Sequence, residues 1–206
     1  NAAFIAQNGK LLQGALPYPF IVKTSLPNYR EFDDSRYFHS LRKLREELDM
    51  PIAELVKPIS ITVRNQAFGL GIMICEDGWT TNYSINIPKL LAKNGADILC
   101  NISCSPFSLQ KNPRRHQIFV EQAKDCHLPL LYCNNVGVQN NGKNIFTFDG
   151  CSCAYQNDGT LLTDSPAYEE HFLKTNFDPG TKLFTAENLL HNHYSEIAEI
   201  YNAISY

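Results

Sequence analysis

The sequence predicts an α/β fold, and three observations predict it. Apolar runs at residues 68–74, 96–102 and 128–134 are separated by helical patterns at 87–93 and 112–127. That β-α-β-α-β order argues for a sheet covered by helices. Punctuation falls where it should: Asn94-Gly95 stops the first helix, and Pro113 suits the first turn of the second. With 206 residues, 44% of them hydrophobic, the chain can build one large domain and its core, or at most two small ones.

Taken in order, the chain opens on Asn1-Ala-Ala-Phe-Ile-Ala, which reads as a strand already under way. Such a start, without a methionine, looks like a piece of something longer. Residues 1–22 read as a hairpin in which 2–6 and 10–13 flank Asn8-Gly9, a pair that favours a tight primed turn. Residues 23–38, rich in aromatics and charges and without clear periodicity, read as an irregular loop, with Arg36 paired to Asp33 or Asp34. Leu41, Leu44 and Leu48 make a short amphipathic stripe over 40–48, closed by Pro51. Residues 59–63 read as a strand ahead of the 68–74 run. Within 112–127, Ile118, Phe119, Gln122, Ala123 and Cys126 share about one face. Residues 146–162 read as two strands around Asn157-Asp158-Gly159, and 187–206 as a helix after a polar start. No internal repeat or low-complexity segment is visible.

Composition narrows the partners. Lys+Arg 18 against Asp+Glu 21, a net charge of −3, leaves no basic surplus for nucleic acid. No apolar run is long enough to span a bilayer and no signal peptide opens the chain, so no membrane partner is expected. The seven cysteines are odd in number and sit mostly in apolar, strand-like contexts. Neither Cys100/Cys104 nor Cys151/Cys153 has CxxC spacing, so no metal site is expected and the reducing cytoplasm is the expected home.

One stretch stands out chemically. The apolar run ends abruptly at Cys75, followed by Glu76, Asp77, Gly78 and Trp79. A buried strand that stops at a polar turn puts Cys75 at the rim of a sheet, where reactive side chains sit on a rigid frame. A buried structural cysteine fits the local sequence equally well. A cysteine nucleophile acts as thiolate and needs a cation or a base nearby. His39, His116, His127, His171, His191 and His193 lie in charged loops or on helices and read as ordinary surface or packing residues. Lys23 is the better cation: it follows apolar Phe20-Ile21-Val22, so a strand end can aim it into a cleft. A solvated lysine is the competing reading.

Cys75-Glu76-Asp77-Gly78-Trp79 resembles the nucleophile motif of the nitrilase superfamily, whose members use a Glu–Lys–Cys triad. Lys23-Thr-Ser-Leu-Pro-Asn-Tyr29 with Phe32-Asp-Asp-Ser-Arg-Tyr-Phe38 is similar to the lysine segment of one branch, the glutaminase domains of glutamine-dependent NAD⁺ synthetases. Ser103-Cys-Ser105-Pro-Phe107 with Lys111 and Arg115, Asn134-Asn-Val-Gly137 and Phe148-Asp-Gly150 resemble the same branch. The blocks keep the family's order over most of residues 1 to about 175.

The resemblance implies a nitrilase-type α-β-β-α sandwich with its N-terminal part missing. Residues 1–176 would be a partial glutamine amidohydrolase domain. Residues 177–206 would be a linker and helix leading toward an absent synthetase domain. Cys75 would attack the side-chain amide of L-glutamine. Lys23 would hold the thiolate and, with the backbone N–H of Glu76, stabilise the oxyanion. Tyr29, Ser105 and Lys111 match positions that contact the glutamine, and Trp79 and Phe107 would pack the site walls. Asp77 would orient the turn by accepting backbone N–H groups. The general-base glutamate of the triad matches no glutamate in this chain, so the isolated polypeptide is expected to be inactive. Asp34 stands where relatives carry a supporting glutamate. The glutaminase part would need no cofactor; ATP and Mg²⁺ would belong to the synthetase domain, and a homo-oligomer is expected. Another nitrilase-type amidase or carbamoyl hydrolase, or a non-catalytic module of the same fold, remains open.

Overall fold

A computed structural model describes residues 1–140, 142–187 and 195–206. It divides into two compact units, residues 1–101 and 102–206.

In the first unit, Asn8-Gly9 does turn the chain, both residues at positive φ, but it closes only a short ladder of β2 (Ala6–Gln7) on β3 (Lys10–Leu11). The preceding strand, β1 (Ala2–Ala3), pairs instead with β4 (Ile21–Val22). The single hairpin expected over 1–22 is therefore two pairings. β4 ends at Lys23, whose backbone is fixed on both sides: its N–H reaches Asn1 O at 3.3 Å, and its carbonyl accepts from Leu41 N at 2.9 Å.

The expected loop over 23–38 contains one helical turn, α1 (Asp34–Tyr37), opened by an Asp34 N–H to Pro27 O bond of 3.1 Å. In α2 (Leu41–Glu47), Ser40 is the N-cap, its hydroxyl accepting from Lys43 N. A further turn, α3 (Ile52–Leu55), follows Pro51. β5 (Ile59–Val63) and β6 (Gln66–Ile74) form an antiparallel hairpin, and β6 neighbours β7 (Ile98–Ser103) in the sheet. Between them lies α4 (Ile87–Lys93), capped by Asn86 and stopped at Gly95 in the left-handed region. Gly69 of β6 admits this stop closely: a Cβ there would stand 2.4 Å from Gly95 O. Ile59, Met73, Leu91 and Leu99 are fully buried in this unit.

The second unit starts within β7, at Ile102. α5 (Lys111–Cys126) packs Phe119 against β8 (Leu130–Asn134), the rings of Phe119 and Tyr132 lying 4.9 Å apart. The C-terminal third holds more strands than expected. β9 (Val136–Asn140) and β10 (Ile145–Asp149) form their own hairpin, so antiparallel pairing begins earlier than residue 146. The pair expected around Asn157-Asp158-Gly159 is β11 (Cys153–Tyr155) with β12 (Leu161–Asp164), and β11 also borders β8. A last hairpin, β13 (Thr175–Asp178) with β14 (Leu183–Ala186), lies ahead of the stretch read as a helix and was not expected. α6 (Glu196–Ser205) carries the helical pattern expected over 187–206; residues 188–194, including His191 and His193, lie outside the described residues.

This unit buries one charge pair completely. The Arg115 guanidinium, fully enclosed, reaches both carboxylate oxygens of Asp149 at 3.2 and 3.3 Å and lies 5.0 Å over the Tyr132 ring. Removing one partner of such a pair strands the other charge. Arg115→Met is therefore expected to destabilise the protein by roughly 3–5 kcal/mol. The double variant Arg115→Met/Asp149→Asn should recover part of that loss. Urea midpoints at unchanged m-value measure both; equal stability of the single and double variants contradicts the account.

Candidate active site

Cys75 follows the last residue of β6. Its φ is +48°, in the left-handed region that non-glycine residues adopt only when the surroundings enforce it. The surroundings do so through two groups. The Asn101 amide, fully buried, donates to Cys75 O at 3.1 Å. The Asp77 carboxylate bends back to accept from Ile74 N at 3.2 Å. The strand thus ends because a side chain three residues on takes the place of a ladder partner, and residues 75–78 wind into a single 3₁₀ turn. Cys75 itself is half-buried. By contrast, Cys151 and Cys153 are buried, and burial pushes the Cys153 thiol up to about 12 and Cys151 higher still. Those two are held as inert thiols; the structural reading of a buried cysteine belongs to them.

The same Asp77 carboxylate connects this turn to the lysine segment. Its other oxygen accepts from Thr24 N at 3.0 Å and Ser25 N at 2.8 Å, the two residues after Lys23. Three backbone donors from two distant stretches thus converge on one enclosed carboxyl, the orienting role that the sequence suggested for Asp77. Burial dominates its acidity and pushes it up to about 6; the Ser25, Ile74 and Thr24 N–H groups and the Lys23 charge pull the other way without winning.

Lys23 is 5% exposed, so it is no solvated lysine. Its Nζ donates to Asp34 Oδ2 at 2.8 Å, and both side chains are largely enclosed. Of the two partners expected for Arg36, the structure gives Asp33, at 3.9 Å on the exposed surface. Asp34, in the first turn of α1, is the buried counter-ion of the lysine.

The side chain of Glu76 is buried and held by two phenols. Tyr29 Oη lies 3.0 and 3.2 Å from its two oxygens, and Tyr83 Oη lies 2.9 Å from one of them. Both hydroxyls are pushed well above the usual tyrosine range, first by burial and then by the Glu76 carboxylate; Cys75 adds to the effect at Tyr29. Within the first unit, Tyr29 and Glu76 are thus bonded directly, and Asp77 ties the backbone next to Cys75 to the backbone next to Lys23.

Ser105 and Lys111 belong to the second unit. Ser105 is buried, and the Asn134 amide clamps its backbone from both sides: Ser105 N donates to Asn134 Oδ1 at 2.8 Å, and Asn134 Nδ2 donates to Ser105 O at 3.1 Å. Asn134 Nδ2 also reaches Asp149 Oδ1 at 3.3 Å, which carries the Arg115 pair. Lys111 Nζ donates to Pro106 O at 2.8 Å, tying the start of α5 to the same loop. Phe107 packs on Tyr168, ring centres 5.9 Å apart. The sequence singled out these blocks without showing that Asn134, Asp149 and Arg115 form the support of Ser105. It missed Tyr83 and Arg42 altogether, since neither lies in a recognisable block.

The family model described as Carbon-nitrogen hydrolase matches residues 19–182. The glutamine-dependent NAD(+) synthetase of Synechocystis is 28% identical over 211 residues, 99% of this chain and 33% of that protein. The structure of the glutamine-dependent NAD⁺ synthetase from Acinetobacter baumannii superposes with a TM-score of 0.76 at 28% identity, again over 99% of this chain and 33% of that one. An amidase of the nitrilase superfamily from Nesterenkonia shares the fold, with a TM-score of 0.58 at 14% identity over 80% of this chain and 50% of its own. The chain spans about a third of the length of the first two relatives. With its α/β elements, its half-buried Cys75 at a strand end and a family match over most of its length, the chain belongs to the carbon–nitrogen hydrolase family and has the nitrilase fold.

Proposed function

We propose that this chain is the glutaminase part of a glutamine-dependent NAD⁺ synthetase, with Cys75 as its nucleophile. The observation that carries the reading is the coupling between Cys75 and Lys23. The turn that forces Cys75 into its left-handed conformation is stapled, through Asp77, to the residues that follow a buried, ion-paired lysine. The synthetase relatives, aligned over 99% of the chain, supply the substrate class.

The Cys75 sulfur attacks the side-chain amide carbon of L-glutamine, and ammonia leaves as the C–N bond breaks. Water then cleaves the glutamyl thioester to glutamate and free thiol. The first proton goes to a glutamate base, the triad member that matches no position between 1 and 206. The Lys23 ammonium and the Glu76 backbone N–H receive the charge that develops on the carbonyl oxygen. Two donors preorganised for that charge are each worth about 10²–10³ in rate. Tyr29 contacts the amino acid, whose carboxylate calls for a charge-assisted partner. The hydrolase region is 1–176, and 177–206 leads toward the synthetase domain, a partner within a homo-oligomer. That domain uses ATP and Mg²⁺ and consumes the ammonia on adenylated deamido-NAD; the glutaminase step itself needs no cofactor. Cytoplasmic residence accords with this; among the described residues no helix is long and apolar enough to cross a membrane.

Ammonia release by the full-length protein tests the reading. L-glutamine should be strongly preferred to acetamide or butyramide, and a clear preference for the aliphatic amides overturns it. Cys75→Ala should abolish release. Lys23→Met should lower kcat by about 10²–10³, and an unaffected kcat would remove the lysine from the site.

Asp77 yields a pH prediction. Its folded value of about 6 lies above its ordinary 3.8. An acid that holds its proton more tightly when folded contributes stability at low pH, and this is lost as pH rises through that interval. In Asp77→Asn that part of the pH slope should vanish. The variant should also be less stable throughout by about 1–3 kcal/mol, since an amide NH₂ opposes a backbone N–H. Denaturation midpoints of both proteins across the interval measure the difference, and parallel curves would refute the assignment.

A further inference from the structure

The Glu76 carboxylate has a second layer of support that no sequence block marks. Tyr83 follows the short turn Thr80–Asn82 and donates to Glu76 Oε1 at 2.9 Å. The guanidinium carbon of Arg42, on α2, lies 5.5 Å from the centre of the Tyr83 ring. Arg42 Nε and Nη2 are enclosed and have no hydrogen-bond partner among the described residues. Enclosed guanidinium nitrogens without acceptors are costly, and such a group calls for an explanation. The ring face of Tyr83 supplies one. A cation over a phenol draws electron density from the ring and makes its O–H a stronger donor. In line with this, the Arg42 charge opposes the burial and the Glu76 contacts that push the Tyr83 hydroxyl up.

We propose that Arg42 and Tyr83 are positioning residues for the substrate-contacting tyrosine, Tyr29, acting through Glu76. Tyr29 bridges both Glu76 oxygens, so the plane of that carboxylate fixes where the Tyr29 hydroxyl stands. Tyr83 occupies one oxygen from another direction and stops the carboxylate from rotating. Among the described contacts Arg42 reaches the Tyr83 ring and not Glu76, so its influence on the carboxylate passes through that ring. The inference rests on the glutaminase reading for its kinetic consequences, but the side-chain coupling exists independently of it.

Two measurements on the full-length protein test the proposal. In glutamine hydrolysis, Tyr83→Phe should raise KM about tenfold, with kcat changed little, since neither the thiol nor Lys23 is touched. Arg42→Met should raise KM about threefold, Arg42→Lys should restore most of it, and Arg42→Met should add nothing in the Tyr83→Phe background. A loss in kcat instead, or additive KM effects, overturns the relay. Independently of activity, ¹³Cζ-tyrosine NMR reads the coupling: the Tyr29 signal should move in both Tyr83→Phe and Arg42→Met. An unmoved Tyr29 signal overturns the proposal even if glutamine is hydrolysed. A moved signal with no glutamine hydrolysis by the wild type keeps the coupling and discards the proposed function.

Discussion

One carboxylate organises the first unit. Asp77 lies in an enclosed place, where burial alone makes ionisation unfavourable. It is kept there by three backbone N–H groups that would otherwise face no acceptor, from Thr24, Ser25 and Ile74. Unsatisfied buried donors cost more than a hydrogen bond gains, so the arrangement is specified chiefly by what its absence would strand. Its geometry follows directly. β6 cannot continue past Ile74, Cys75 is turned into the left-handed region, and the segment after Lys23 is bound to that turn although some fifty residues of chain separate them.

The second unit solves a similar problem with a longer network. Arg115, Asp149 and Asn134 form a buried chain that ends as a two-bond clamp on the Ser105 backbone. A buried ion pair is weak evidence for stability, because desolvation consumes most of its Coulomb gain. What it supplies here is position: Asn134 has no freedom to turn while Asp149 holds its amide, and the Ser105 loop has none while Asn134 holds it. Both units therefore fix a short loop with a side-chain amide or carboxylate that imitates a strand partner.

The regular elements were legible because their signals are local. The β-α-β-α-β order, the Asn94-Gly95 stop and the Asn8-Gly9 turn all reappear. The partnering of short strands was not legible. The Ala2–Ala3 pairing with Ile21–Val22, and the β9–β10 and β13–β14 hairpins, are decided by which edge is free and not by residue type. At the candidate site, an apolar run ending at acids marks Cys75 and a place behind a strand marks Lys23, but only the family resemblance chooses them over a structural cysteine and a solvated lysine. The sequence left Arg36 with Asp33 or Asp34 and did not show the Lys23–Asp34 pair, because charge spacing along the chain cannot reveal that α1 carries Asp34 inward while Arg36 stays exposed with Asp33. Tyr83 and Arg42 gave no signal at all: a tyrosine after a polar turn and an arginine on an amphipathic helix are ordinary until their contacts are seen.

The Lys23–Asp34 pair shows how a buried lysine is held in place. Enclosing an ammonium without a counter-charge is costly. Asp34 supplies the counter-charge at 2.8 Å while engaging one of three N–H donors. The resemblance implies a glutamate at this position, and aspartate is one methylene shorter. The shorter side chain reaches because Asp34 opens α1, where its N–H is already bound to Pro27 O and its backbone is drawn in with the lysine segment. A carboxylate bonded by its own backbone to the loop it serves moves with that loop. The carboxylate and the lysine it pairs with are therefore carried by one segment, which brings aspartate to 2.8 Å from Lys23 Nζ.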